Sequence, residues 1–122
     1  MSKLQEPFRY DYVGSFLRTE ELKKATTQYN ENKITKEVYD NIVNEEIAKL
    51  VAKQKELGYH VITDGEFRRT YWHLDFMWGF EGVAHKQSGS GVPFHAELAA
   101  VEDTYLVGKV KAKAHPFVEY FK

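Results

Sequence analysis

The chain has 122 residues, enough for one ordinary domain and too few for two. Its 43% hydrophobic and 15% aromatic content suffices for a core, while 17 basic against 18 acidic residues, a net charge of -1, argue against a binder driven by nucleic-acid or membrane charge. The absence of cysteine excludes a disulfide framework, a thiolate nucleophile and cysteine metal ligands, and no apolar run suits a signal peptide or a membrane span. A soluble cytoplasmic protein with no nucleic-acid and no membrane partner is expected.

Residues 1 to 8 read as a polar lead-in. Tyr10, Tyr12 and Val13-Gly14-Ser15-Phe16 predict a first strand that ends in a glycine turn. Gly14 permits a positive φ or a close backbone approach, and Ser15 sets a hydroxyl beside it; a plain turn glycine and a solvated serine suit the same residues. Thr19 is placed to cap a helix, with Glu20 and Glu21 in the first turn where the helix dipole favours carboxylates. Leu22, Ala25 and Tyr29 share one face of it, and the run Asn30 to Lys33 breaks it. Thr35 caps a second helix running to about Leu57, with Val38, Ile42, Val43, Ile47, Leu50, Val51 and Leu57 as its stripe and Gly58 as its stop.

After Gly58, the β-branched run Val61-Ile62-Thr63 predicts a buried strand that empties into Asp64-Gly65-Glu66. Helix, glycine stop, strand and acidic loop in this order suit a βα architecture, in which ligands meet the C-terminal ends of parallel strands. Asp64 and Glu66 are therefore candidate site residues. Paired carboxylates suit acid–base work or a bound cation, although Asp-Gly is equally a turn dipeptide. Arg68 and Arg69 are suited to clamping a carboxylate or phosphate, or to pairing with nearby acids on a solvated face.

The aromatic segment from Phe67 to Phe80 predicts core and interface. Ser88-Gly89-Ser90-Gly91 predicts a flexible connection between Glu81–Gln87 and Val92–Val101. Thr104 to Lys113 alternates as a half-exposed strand, and His115-Pro116 opens a further helix. His60, His73, His85, His95 and His115 lack the close pairing of a zinc helix, and no Walker, G-x-G-x-x-G or G-x-S-x-G motif occurs.

Three stretches together, VGSFLR at 13–18, VAKQKELGYHVITDGEFRR at 51–69 and WHLDFMWGFEGV at 72–83, resemble the cobalamin-independent methionine synthase family, above all its short, single-barrel, methionine synthase II-like members. The resemblance implies an α/β fold that is a partial (β/α)8 TIM barrel: about two barrel strands and their helices, with a β-rich insertion after the second. A full barrel takes about 250 residues, so residues 1–122 would be a single domain forming the truncated N-terminal portion. The implied activity is that of a 5-methyltetrahydropteroyltriglutamate–homocysteine S-methyltransferase, which moves a methyl group to a thiol activated by zinc.

By the same resemblance, Val13, Gly14 and Ser15 match the segment that binds the amino-acid end of homocysteine, and Glu66 matches the carboxylate that meets its ammonium. No residue here inherits a catalytic role. The family's zinc ligands, a histidine, two cysteines and a glutamate, come from later in the barrel, so no cofactor is expected in this chain and the isolated chain is expected to be inactive. Thr19 stands where relatives often carry proline. Expected partners are homocysteine or methionine, together with a missing C-terminal half or a second copy that covers the open strand edges. The alternative is a free-standing α+β binding or assembly module without catalysis.

Overall fold

The computed structural model describes residues 14–71, 73–94 and 97–122. The chain divides into two compact units at Arg69–Thr70, and each carries helical or sheet structure of its own.

Two helices build the first unit. Thr19 is extended and its hydroxyl accepts from the Leu22 amide at 3.2 Å, which starts α1, Glu20–Asn30. Asn32 then takes a left-handed φ of 56°, a conformation its short polar side chain tolerates, and the helix ends. Thr35 caps the Val38 amide at 3.3 Å and starts α2, Lys36–Glu56. Gly58, at φ 79°, closes α2 as expected: its amide donates to the Lys55 carbonyl at 3.0 Å and that of Tyr59 to Gln54 at 3.1 Å.

Leu22 of α1, Val43 of α2 and Phe67 from the loop beyond α2 are buried against one another, with Phe16, Tyr39, Ile47 and Leu50 packed around them. Burial of each such side chain contributes about 1.5–3 kcal/mol. A stacked pair, Tyr29 on Tyr39 with centroids 4.8 Å apart, extends the join between the two helices. One charge lies inside. Glu46 of α2 is only 4% exposed and pairs with Lys49, with the Thr19 hydroxyl near its carboxyl. The Lys49 and Thr19 hydrogen bonds hold its carboxyl below the ordinary value of 4.5 against the opposing effect of burial, and Glu46 raises Lys49 in turn. Since Thr19 is the cap of α1, the buried acid of one helix lies at the positive end of the other.

Neither expected barrel strand is a strand among the described residues. Most of the first, including Val13, lies outside them, and Gly14 to Phe16 belong to no ladder. Val61 to Thr63 is irregular, with Val61 47% exposed rather than buried. A strand requires a neighbour's backbone, and at Thr63 a side chain replaces it: Gln54 Nε2 donates to the Thr63 carbonyl at 2.8 Å and the Thr63 amide donates to Gln54 Oε1 at 3.0 Å.

The second unit is a two-stranded antiparallel ribbon, β1 (Glu81–Phe94) and β2 (Glu97–Lys111), preceded by the short α3 (Leu74–Trp78) and followed by α4 (Pro116–Phe121). Asp75 accepts from the Thr70 and Tyr71 amides at 2.9 and 2.8 Å, fixing the entry to α3. Trp78 binds α3 to the ribbon: its indole N–H donates to Thr104 Oγ1 at 2.7 Å and its ring stacks on His85 at 4.0 Å. His85 Nδ1 lies 2.5 Å from Glu102 Oε2.

The Ser88 to Gly91 segment is not the expected connection but part of β1. Gln87 pairs with Glu102 and Gly91 with Ala100, so three β1 residues oppose one on β2, a bulge that small residues accommodate. The expected strand is present in β2, but it is not half-exposed: Tyr105, Val107 and Val110 are exposed along with the lysines between them, because no further layer of the described residues covers that face. The expected helix after His115 is α4. His115 caps α4 by accepting from the Phe117 amide through Nδ1 at 3.2 Å. The ring proton therefore sits on Nε2, which donates to the Phe76 carbonyl at 2.9 Å. The ring lies against Gly79, where an added Cβ would fall 2.0 Å from Nε2.

Candidate functional site

The acidic loop after α2 is fixed by its own side chains. Thr63 Oγ1 accepts from the Gly65 amide at 3.1 Å, and Asp64 Oδ1 from the Glu66 amide at 3.0 Å. These are the local turns that threonine and aspartate favour. Gly65, at φ 66°, is buried; a Cβ there would meet Leu50 Cδ2 at 2.5 Å and the Phe16 and Phe67 side chains at 3.2 Å, so a larger residue would have to push Leu50 aside and hold a strained φ. Glu66 follows at φ 59°, unusual for a residue with a long side chain. Phe67, 3% exposed, anchors the loop in the core.

Two contacts bring the Gly14–Ser15 segment to this loop. The Phe16 amide donates to the Gly65 carbonyl at 3.1 Å, so Ser15 and Glu66 flank one backbone hydrogen bond. Arg18 spans the turn, its NH2 donating to the Glu66 carbonyl at 3.1 Å and to the Arg69 carbonyl at 2.7 Å. Gly14 takes a φ of 82° with open space at its Cβ position, and Ser15 is exposed beside it. Val13, the other expected substrate contact, lies outside the described residues.

Glu66 and Arg69 form an ion pair at 3.5 Å with side chains 23% and 29% exposed. Arg68 differs from its neighbour in that its guanidinium reaches Asn44 on α2. Asp64 spends one oxygen on the turn, so it shapes the loop that presents Glu66. Arg18, Gln54 and Thr63 were not candidate site residues in the sequence, although all three lie in stretches that carry the family resemblance and Thr63 ends the expected strand. Only Gln54 left a signal there, as a polar residue one turn beyond Leu50 in the apolar stripe of α2.

Zinc, which the family resemblance implies, does not fit the residues present. The sequence has no cysteine, and among the described residues no three His, Asp or Glu side chains converge. Among the described residues no helix is long and apolar enough to cross a membrane.

Residues 10–100 match the family model described as Cobalamin-independent synthase, Catalytic domain. The chain is 40% identical over 119 residues to the Bacillus subtilis (strain 168) protein YxjG, covering 98% of itself and 32% of that protein. It is 36% identical over 77 residues to the 5-methyltetrahydropteroyltriglutamate--homocysteine methyltransferase of Thermotoga maritima, covering 63% of itself and 10% of that enzyme. A solved structure from Listeria monocytogenes, assigned as a vitamin-B12-independent methionine synthase, superimposes with a TM-score of 0.72 at 38% identity over 94% of this chain and 30% of that one. The chain thus spans about a third of the length of YxjG and a tenth of the long methyltransferase. A family match over residues 10–100, with a structural likeness over nearly the whole chain, makes it a member of the cobalamin-independent methionine synthase family.

Proposed function

We propose that this chain is the opening part of a methionine-synthase-like methyltransferase and carries the amino-acid end of a homocysteine pocket. In this reading the segments at 14–16 and 61–65, which form no ladder among the described residues, stand in the places that the ends of the first two strands take in a (β/α)8 barrel, and the ribbon of β1 and β2 is an insertion after the second. The observation that carries it is the bond from the Phe16 amide to the Gly65 carbonyl at 3.1 Å, which brings Ser15 beside Glu66. A zwitterion requires an anion for its ammonium and donors for its carboxylate. Glu66 supplies the first, and the Gly14–Ser15 backbone with the Ser15 hydroxyl supplies the second. The chemistry at sulfur belongs to residues outside this chain, and no methyl transfer is assigned to the chain alone.

Calorimetry with homocysteine or methionine tests this. A hydrogen bond to a charged group contributes about 1.5–3 kcal/mol, so Glu66→Gln is expected to weaken binding about ten- to a hundredfold. Asp64→Asn keeps the acceptor for the Glu66 amide and is expected to change affinity little. Unchanged affinity in Glu66→Gln would reduce Glu66 to a turn residue and end this reading.

A further inference from the structure

We infer that Arg69 is a specificity-determining residue of this pocket, the cation that selects ligands carrying an α-carboxylate; the inference rests on the amino-acid pocket proposed above. Three observations lead to it. Arg69 NH1 stands 3.5 Å from Glu66 Oε1, too long for a strong charge-assisted bond and close enough for a matched pair of charges. The Arg69 backbone is fixed, because its carbonyl accepts from Arg18 at 2.7 Å and its amide donates to the Glu66 carbonyl at 3.1 Å. The neighbouring Arg68 is turned to Asn44 of α2, which leaves Arg69 as the arginine that faces Glu66.

An α-amino acid carries its ammonium and carboxylate on one carbon, so the two charges are separated by two bonds. The Glu66–Arg69 pair offers an anion and a cation at a comparable spacing and of the opposite order. Binding exchanges one ion pair for two: the ammonium takes Glu66, and the guanidinium, with five donors in a planar fork, turns its edge to the carboxylate. The Ser15 region adds neutral donors, whereas Arg69 adds the charge that separates a carboxylate from an alcohol or an amide. A ligand with an ammonium alone has to displace Arg69 from Glu66 and offers nothing in return. The pair therefore penalises simple amines as well as favouring amino acids.

The test compares methionine with methioninol, which keeps the amine and side chain but carries an alcohol in place of the carboxylate. Calorimetry on the whole chain is expected to show methionine bound at least about tenfold more tightly. Arg69→Gln is expected to bring the two affinities within about threefold, by weakening methionine while methioninol holds or improves. Arg69→Lys, which keeps the charge without the fork, is expected to restore part of the preference. An undiminished preference in Arg69→Gln, or an equal fall for both ligands, overturns the role of Arg69 while leaving the pocket standing. Failure of the unsubstituted chain to bind either ligand overturns the pocket itself, and with it this inference.

Discussion

Gln54 and Thr63 are joined by two hydrogen bonds of 2.8 and 3.0 Å, so that a helix side chain occupies the backbone N–H and C=O of one loop residue. Gln54 is 2% exposed and its Nε2 also approaches the Leu50 carbonyl at 3.3 Å. Gln54→Leu fills the same space and strips Thr63 of both partners. A loss of about 2–4 kcal/mol is expected, since each buried unsatisfied group costs about 1–3 kcal/mol. Urea unfolding of the two proteins measures it, and equal midpoints with equal slopes would show that water replaces the amide without penalty.

Glu46 gives the first unit a dependence on acid. Its carboxyl is held below its ordinary value when folded, so it releases its proton more readily in the native chain than in the unfolded one. The stability this contributes is complete above the ordinary value of 4.5 and is lost as pH falls through the lowered folded value. Glu46→Gln is expected to cost about 1–2 kcal/mol at pH 7, reduced by the exposure of Lys49, with the gap closing at lower pH. Thermal unfolding from pH 7 to pH 3 reads the gap directly. A gap that widens on acidification would mean the sign is wrong.

The purified chain is expected to hold no stoichiometric zinc and to transfer no methyl group to homocysteine. The motive is the ligand set: a thiol-activating zinc site needs soft protein ligands, and this sequence has no cysteine. Elemental analysis beside a methyl-transfer assay decides it, and one-to-one zinc with turnover would contradict the assignment of chemistry to residues elsewhere.

Self-association is expected as well. Leu106 and Val107 of β2 are 69% and 64% exposed, and among the described residues no further strand pairs with either outer edge of the ribbon, although the Glu102 amide donates to the Tyr71 hydroxyl at 3.2 Å. A two-fold dimer is the commonest closed outcome. Light scattering across a dilution series measures the mass, and a monomer at every concentration would show that Lys109, Lys111 and Lys113 protect the edge sufficiently.

The parts of the fold legible in the sequence are those written within a few residues of themselves. The caps at Thr19 and Thr35 and the stop at Gly58 each rest on one side chain, or its absence, acting on adjacent backbone, and all three stand where their spacing put them. The ribbon was half legible: the β2 sequence alternates, but the bulge at Ser88–Ser90 is set by the pairs on either side of it, whose partners lie fifteen and nine positions away along the chain. The strand expected at Val61–Thr63 failed for the same reason, because a strand is a relation between segments and the partner at Thr63 is a helix glutamine. In the site, Glu66 drew notice through its type and place in the chain. Arg18 did not, because nothing local marks an arginine whose targets are carbonyls 48 and 51 residues away.

Glu66 also sets stability against use. Among the described residues two non-glycines take a left-handed φ, Asn32 and Glu66, and asparagine tolerates that conformation where glutamate does not. Holding a long acidic side chain there costs of order 1 kcal/mol, which Glu66→Gly would recover. A screen of variants for heat resistance would therefore favour loss of the carboxylate at this position. Persistence of glutamate at 66 in a chain diversified under selection for binding, and its replacement by glycine or asparagine under selection for folding alone, would separate the two pressures at a single codon.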